Sequence, residues 1–569
     1  MAHERIGVYV CNCGTNIAKV VDANAVAEAT KEIPGVASAR SYKYMCSNPG
    51  QEMIAKDIRE LSLTKVVVAA CSPRMHEGTF RKALERGGIN PYFFEMANIR
   101  EQCSWIHEDH VAATEKAKSL TRAAVSRVKY HEPLEKRSVP MCSSTLVVGG
   151  GVAGLTAALE LAEAGQNVYL VEHSRQLGGN VLRLDLTVPY LDSARDIVEN
   201  LIARVERHPK VRVFLESELV ELKGFIGNYR PKVNTATGDV LELEVGSVVI
   251  CTGFKAFDAA RASRYGYGRL PDVVTSFEME AMLRKGRIET KAGQRPRYVS
   301  IIHCVGSRSG EFHRYCSRVC CMNALKYANQ IKSAIPGAHV ADLYTDMNAF
   351  GKGCEDFYAR SAEAGTMFLL FDKHQPPDVR LASPGDDCNM LISFREQLSG
   401  EHIEMPADLV VLMVAMEPRD DSERVAHIAN ISRDKEGWFI ESHPKLDPVA
   451  TTTDGIFIAG ACQAPKDIPE SVAQARGAVA RILAKIAQGV ITVEGVYSEV
   501  EERRCAGCRT CNSVCPYTAI TYDEEKRRSR IISAACKACG CCSAACPSGA
   551  IQTRHFNDQQ VCAQIEAVL

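Results

Sequence analysis

The chain has 569 residues, of which 46% are hydrophobic and 24% charged, with a formal net charge of −1. These soluble-globular proportions give no electrostatic case for nucleic acid or an anionic membrane. No apolar run approaches the roughly 18–20 residues that span a bilayer, and MAHERIGVYVCNCG has no export signature, so a cytoplasmic protein of about two to four domains is expected.

Residues 1–133 alternate short apolar runs with amphipathic stretches. IGVYV, ARSYKYM, KVVVAA and YFFEM read as strands, and helices are predicted near 22–33, 50–61, 76–87 and 110–129. This is an open α/β pattern. The chain holds 24 cysteines. At this length and with no export signal, tight spacings point to metal ligands rather than disulfides. Cys11, Cys13, Cys46, Cys71 and Cys103 each lie at, or shortly after, the carboxyl side of one of the four runs. In a parallel sheet those ends share one edge, where ligands bind. A metal or redox site is the expectation, against the alternative that the five are small buried hydrophobes.

After the polar join HEPLEKRSVPMCSS, residues 143–490 open with TLVVGGGVAGLTAALELAEAGQNVYLVE: strand, glycine turn, helix, strand. Gly149, Gly151 and Gly154 occupy the G-x-G-x-x-G positions. The first permits the tight turn, the second lets backbone approach a pyrophosphate, and the third lets helix pack on strand. The pyrophosphate would rest on the helix N-terminus. Glu172 closes the second strand and suits a ribose hydroxyl. With these elements in register the motif predicts dinucleotide binding.

Farther along, RYVSIIH (297–303) reads as a strand, and CVGSRSGEFHRYCSRVCC (304–321) follows it. Gly306 and Gly310 cannot form a second phosphate-binding turn. Cys304, Cys316, Cys320 and Cys321 stand there instead, the last two opening a predicted helix. Four thiols at a strand end and a helix start can surround an iron–sulfur cubane. A redox dithiol and inert core cysteines are the alternatives.

The tail, 496–569, uses one unit twice: CRTCNSVCPYTAIT and CGCCSAACPSGAIQ. The runs Cys505, Cys508, Cys511, Cys515 and Cys536, Cys539, Cys542, Cys546 are both C-x2-C-x2-C-x3-C-P, the bacterial two-cluster ferredoxin signature, in which the fourth cysteine of each run serves the other cluster. One [4Fe–4S] cluster takes Cys505, Cys508, Cys511 and Cys546, and the other Cys536, Cys539, Cys542 and Cys515. Cys541 is left over. Zinc knuckles fit poorly, because the interleaved repeat and the Cys-Pro ending belong to ferredoxins.

Two resemblances extend this reading. The order of the glycine turn, Gly178-Gly179, VVICTGF and TTTDGIFIAGACQAPKDIPESVAQARGAVA is similar to that of two-dinucleotide-domain flavoproteins of the thioredoxin reductase and glutamate synthase type. That resemblance implies FAD, contacted by Gly178, Gly179, Thr252, Gly253, Gly460, Ala461 and the helix starting near Ile468. The family's ribityl-binding Gly-Asp is replaced here by Gly460-Ala461, so backbone amides or Asp467 would have to serve. From VYVCNCG through YKYMCSNPG, VVVAACSPRMHE, NIREQCSW and the C-x11-C-x3-CC loop to the tail, the chain resembles the heterodisulfide reductase A-subunit family of anaerobic archaea and bacteria.

The second resemblance implies an α/β multidomain oxidoreductase subunit with three parts. These are an open α/β N-terminal domain, a thioredoxin-reductase-like FAD domain, and an α+β ferredoxin domain. Three [4Fe–4S] clusters are implied, and a fourth if the N-terminal cysteines hold one. It further implies flavin-based electron bifurcation between a two-electron donor, ferredoxin and a higher-potential acceptor. Plain electron relay and NAD(P)H oxidation are the alternatives. The implied partners are B- and C-type subunits, ferredoxin and a hydrogenase, formate dehydrogenase or NADH-oxidising protein, around a homodimer. Lys326, one turn past Cys321, matches a family lysine near flavin N5, though a surface lysine fits the sequence as well. The ferredoxin insertion that some members carry in the flavin domain is missing from 220–304.

Overall fold

A computed structural model describes residues 4–569. The chain divides into two compact units: residues up to Val139 together with Thr492–Leu569, and Pro140–Ile491. The terminal segments, read from sequence as separate domains, thus share one unit.

In the first unit the N-terminal residues form a parallel four-stranded sheet in the order Val36–Tyr42, Ile6–Cys11, Lys65–Ala70, Phe94–Asn98. KVVVAA and IGVYVC are buried throughout, as strands covered by helices on both faces must be. Asp22 starts the helix Ala23–Lys31 by accepting the amides of Asn24 and Ala25, and Gly88, at φ 92°, ends Pro73–Gly87. The strand order reverses beside Ile6–Cys11. The crevice outside its carboxyl end is where such sheets bind ligands.

The tail is built of two small antiparallel pairs, Ser498–Val500 with Ile551–Thr553 and Ile520–Asp523 with Arg528–Ile531. It is moored to the helices that cover the N-terminal sheet. Arg127 Nη2 donates to His555 O at 2.7 Å, Gln560 Nε2 to Tyr130 O at 2.9 Å, and Arg81 Nη1 to Glu494 Oε2 at 2.9 Å. The His131 and His555 rings stack at 4.2 Å.

The second unit holds two parallel five-stranded sheets. One runs Ile456–Ile458, Ser247–Ile250, Thr145–Val148, Val168–Val171, Val211–Phe214. The other runs Val273–Thr275, Leu409–Val414, Tyr298–Val305, His339–Tyr344, Met367–Leu370. Each carries a three-stranded antiparallel excursion, and the short pair Phe254–Ala256 with Met416–Pro418 links the halves. The second half is inserted in the first, whose edge strand Ile456–Ile458 returns after it, and two dinucleotide-type halves are what the flavoprotein resemblance implied. Among the described residues no helix is long and apolar enough to cross a membrane.

Candidate flavin and iron–sulfur sites

The glycine turn follows Thr145–Val148 and opens the helix Val152–Glu163. Each glycine has a separate reason to lack a side chain. A Cβ on Gly149, at φ 106°, would stand 2.3 Å from Cys251 O, and one on Gly154 would stand 1.8 Å from Gly149 O. A Cβ on Gly151 meets nothing within 4 Å, so that position faces open space. Gly149 and Gly154 thus serve close backbone packing, and Gly151 leaves room for a ligand. The Glu172 carboxylate accepts the Gly150 amide at 2.6 Å and the Ser174 amide at 2.7 Å, which fixes it beside the turn.

Gly178 donates its amide to Gly150 O at 2.8 Å, bringing Gly178-Gly179 against Gly151. Thr252 and Gly253 follow Ser247–Ile250, the strand next to Thr145–Val148. Gly253 is at φ 74° with open space at its Cβ position, and Gly460, after the edge strand Ile456–Ile458, is at φ 81°. The helix Ile468–Ile486 starts with Asp467 in a reciprocal capping box with Glu470. Asp467 is thereby engaged as a cap. These residues lie at the ends of neighbouring strands of one sheet, and the open space at Gly151 and Gly253 is compatible with a bound dinucleotide.

In the second half, the strand Tyr298–Val305 carries Cys304 in a left-handed backbone (φ 59°), with a register shift against Leu409–Val414 between Ile302 and Val305. The irregularity re-aims Cys304 out of the ladder. Cys320 and Cys321 open the helix Cys320–Ala334. Cys320 feels Cys304, Cys321 and Cys316, so all four thiols converge. The Arg318 amide donates to Cys316 Sγ at 3.2 Å, and Asn348 Nδ2 lies 3.7 Å from the same sulfur. Where a phosphate-binding turn would need space, a Cβ on Gly306 would stand 2.5 Å from the Phe257 ring. An aromatic ring therefore backs this turn.

Sequence reasoning missed the residues behind these thiols. His303 and Asp342 form a fully buried pair, 2.6 Å apart. Burial works against the imidazolium, but Asp342 and then Cys321 more than offset it, and the His303 pKa rises. Burial alone would raise Cys321, yet the hydrogen bond and charge of His303 bring it below the ordinary thiol range. Lys326 is no surface residue. It is fully buried, with Nζ 2.5 Å from Glu280 Oε1 and 2.8 Å from Leu186 O. Burial lowers its pKa and Glu280 opposes the shift. Tyr327 OH donates to the same Glu280 oxygen at 2.7 Å. Glu280 sits in the amphipathic helix Ser276–Arg284, and no motif marks it.

In the tail, one cavity is lined by Cys505, Cys508, Cys511 and Cys546, and a second by Cys515, Cys536, Cys539 and Cys542 with Cys541. The two interleaved sets thus line two separate cavities. Among the described residues no group of three or more His, Cys, Asp or Glu side chains is placed to hold a single metal ion. Backbone amides point at the sulfurs: Ala519 N–H at Cys515 (3.3 Å), and Ser498 and Ala538 N–H at Cys536 (3.4 Å each).

At the N-terminal edge, Cys11 senses Cys13, Cys46 and Cys71, and burial pushes its thiol up to about 12. These four come together at the reversal point of the sheet. Cys103, expected with them, does not join. The π-helical turn Arg100–Ser104 rotates it inward, where its thiol donates to Ala113 O at 3.0 Å.

Residues 124–279 match the pyridine nucleotide-disulphide oxidoreductase family, and residues 504–550 match the 4Fe-4S dicluster domain. The second A-type iron-sulfur subunit of CoB–CoM heterodisulfide reductase from Methanopyrus kandleri is 40% identical over 92% of this chain and 92% of its own length. The A-type subunit of the H(2):CoB-CoM heterodisulfide,ferredoxin reductase of Methanothermobacter thermautotrophicus is 38% identical over 100% of this chain and 98% of its own. The chain belongs to the heterodisulfide reductase A-subunit family. It is an oxidoreductase that joins a flavoprotein fold to a dicluster iron–sulfur domain. Among solved structures, thioredoxin reductase of T. acidophilum aligns with 61% of this chain and 99% of its own, at 16% identity and a TM-score of 0.41.

Proposed function

We propose that this A-type heterodisulfide reductase subunit is a cytoplasmic electron junction whose FAD site feeds single-electron carriers along separate routes, the arrangement that flavin-based bifurcation or confurcation needs. FAD, when bound, exchanges electrons in pairs or singly, and [4Fe–4S] clusters carry them singly. The observation that carries the reading is the convergence of Cys304, Cys316, Cys320 and Cys321 in the second dinucleotide half, where a nicotinamide donor would otherwise dock.

Gly149, Gly151, Gly154, Glu172, Gly178, Gly179, Thr252, Gly253, Gly460, Ala461 and Ile468 would hold FAD. The dipole of Ile468–Ile486 favours negative charge before its first turn. Lys326 and Glu280 would hold a proton in a water-free site. The tail cysteines in their two sets hold two clusters, and Cys304, Cys316, Cys320 and Cys321 a third. Cys11, Cys13, Cys46 and Cys71 hold a fourth, since buried convergent thiolates call for a compensating cation.

Relatives are named for hydrogen, formate and ferredoxin, as in the H(2)/formate:CoB-CoM heterodisulfide,ferredoxin reductase of Methanococcus maripaludis. By analogy, B- and C-type subunits, ferredoxin and a hydrogenase, formate dehydrogenase or NADH-oxidising protein are the partners, around a dimer of this chain.

Iron analysis of anaerobically purified protein tests the inventory: about sixteen irons per chain for four clusters, about twelve for three. The double variant C316A/C320A should lower the count by about four and leave the tail clusters' spectra intact. Spectroelectrochemistry of the bound flavin should give crossed one-electron potentials. Rapid oxidation of NADPH by the isolated chain would overturn the reading.

A further inference from the structure

The two halves of the tail repeat serve as controls for each other. Cys508-Arg509-Thr510-Cys511 aligns with Cys539-Gly540-Cys541-Cys542. The second residue of each is left-handed, Arg509 at φ 62° and Gly540 at φ 80°, and the third opens a short helix, Thr510–Val514 or Cys541–Ala544. In the first half the third residue sets a hydroxyl against the ligand thiol, with Thr510 Oγ1 3.4 Å from Cys508 Sγ. In the second half the same backbone sets a thiol there, and Cys541 lines the same cavity as Cys539. The companion cavity has four thiols, whereas this one has five. A hydroxyl in that place can only donate a hydrogen bond, but a thiol is itself a soft ligand for iron.

We propose that Cys541 is an alternate iron ligand of the second tail cluster, exchanging with Cys539. This rests on the reading of that cavity as a [4Fe–4S] site. In the exchange the iron–sulfur bond to Cys539 breaks, a bond to Cys541 forms, and the proton of the Cys541 thiol moves to the Cys539 sulfur. No electron changes hands, and the cluster keeps its charge. Cys539 and Cys541 are both exposed while Cys542 is buried, so the exchange sits at the solvent-facing corner. There a change of ligand alters the hydrogen bonding and potential of one iron without releasing it.

The test uses the full chain, purified anaerobically, with iron, acid-labile sulfide and the electron paramagnetic resonance of the reduced protein as readouts. C539A should retain wild-type iron and sulfide with a shifted cluster spectrum. C541A should retain both with its spectrum reduced to the single Cys539-ligated form, and C539A/C541A should lose about four irons. C508A, with only the Thr510 hydroxyl in the corresponding place, should lose the companion cluster, and C536A should lose the second. If C539A loses iron as C536A does, the exchange is wrong. If C536A keeps full iron, the cluster reading itself fails.

Discussion

At the scale of single residues, Gly151 and Gly154 separate cofactor binding from folding. A methyl on Gly154 collides with Gly149 O, so G154A should lower the unfolding midpoint of the FAD domain by overpacking, about 1–3 kcal/mol or more. A methyl on Gly151 collides with nothing in the chain but enters the space left for phosphate. G151A should keep wild-type thermal stability in the flavin-free protein and lose bound FAD, read by absorbance after desalting. Lys326 and Glu280 make the complementary case of a charge pair that neither partner can leave. K326M strands the Glu280 carboxylate in a dry site and should cost about 3–5 kcal/mol. The double variant K326M/E280Q should recover much of that loss in denaturant titration.

At the scale of elements, the unit that matters is strand, bulge, loop and helix from Tyr298 to Ala334. Its loop is clamped by an aromatic set. Tyr315 stacks on His313 at 5.0 Å and meets the Trp438 ring edge-on, and Tyr315 OH donates to Met416 O at 2.8 Å. The helix Ile468–Ile486 owes its start to Asp467, and D467A should cost about 0.5–2 kcal/mol, measured by the domain's thermal midpoint. The elements themselves were legible in sequence wherever burial imposed a pattern. KVVVAA reads as a strand and is one, and the cysteine sets paired from the tail spacing line two separate cavities. What periodicity cannot carry is long-range pairing. His303 meets Asp342 and Lys326 meets Glu280 across separate elements, and the inward turn of Cys103 depends on a π-helical geometry with no sequence signal.

At the scale of the molecule, the first unit is joined by a cluster of ionisable groups held away from water. Burial pushes His131 down to about 2 and His555 down to about 4, and raises Glu95 to about 7, with Arg127, Arg81, Arg554 and Lys65 as the surrounding cations. Both histidines stay neutral in the fold yet take a proton below about 6.5 when unfolded, so each withdraws stability as pH falls. Glu95 acts in the opposite sense between about 7 and its unfolded value near 4.5. From pH 6.5 to 4.5 the unfolded chain therefore binds about one more proton than the fold, a loss of ~1.4 kcal/mol per pH unit. Urea midpoints of this unit should decline over that window, and H131F should flatten the decline. The mooring of Leu569's segment to the opening residues also orders events at the ribosome. The first domain emerges with the helix surface that takes the tail bare and must wait until the entire flavoprotein half has been translated. A nascent chain stalled before His555 would leave that surface uncovered, a natural foothold for chaperones or for aggregation.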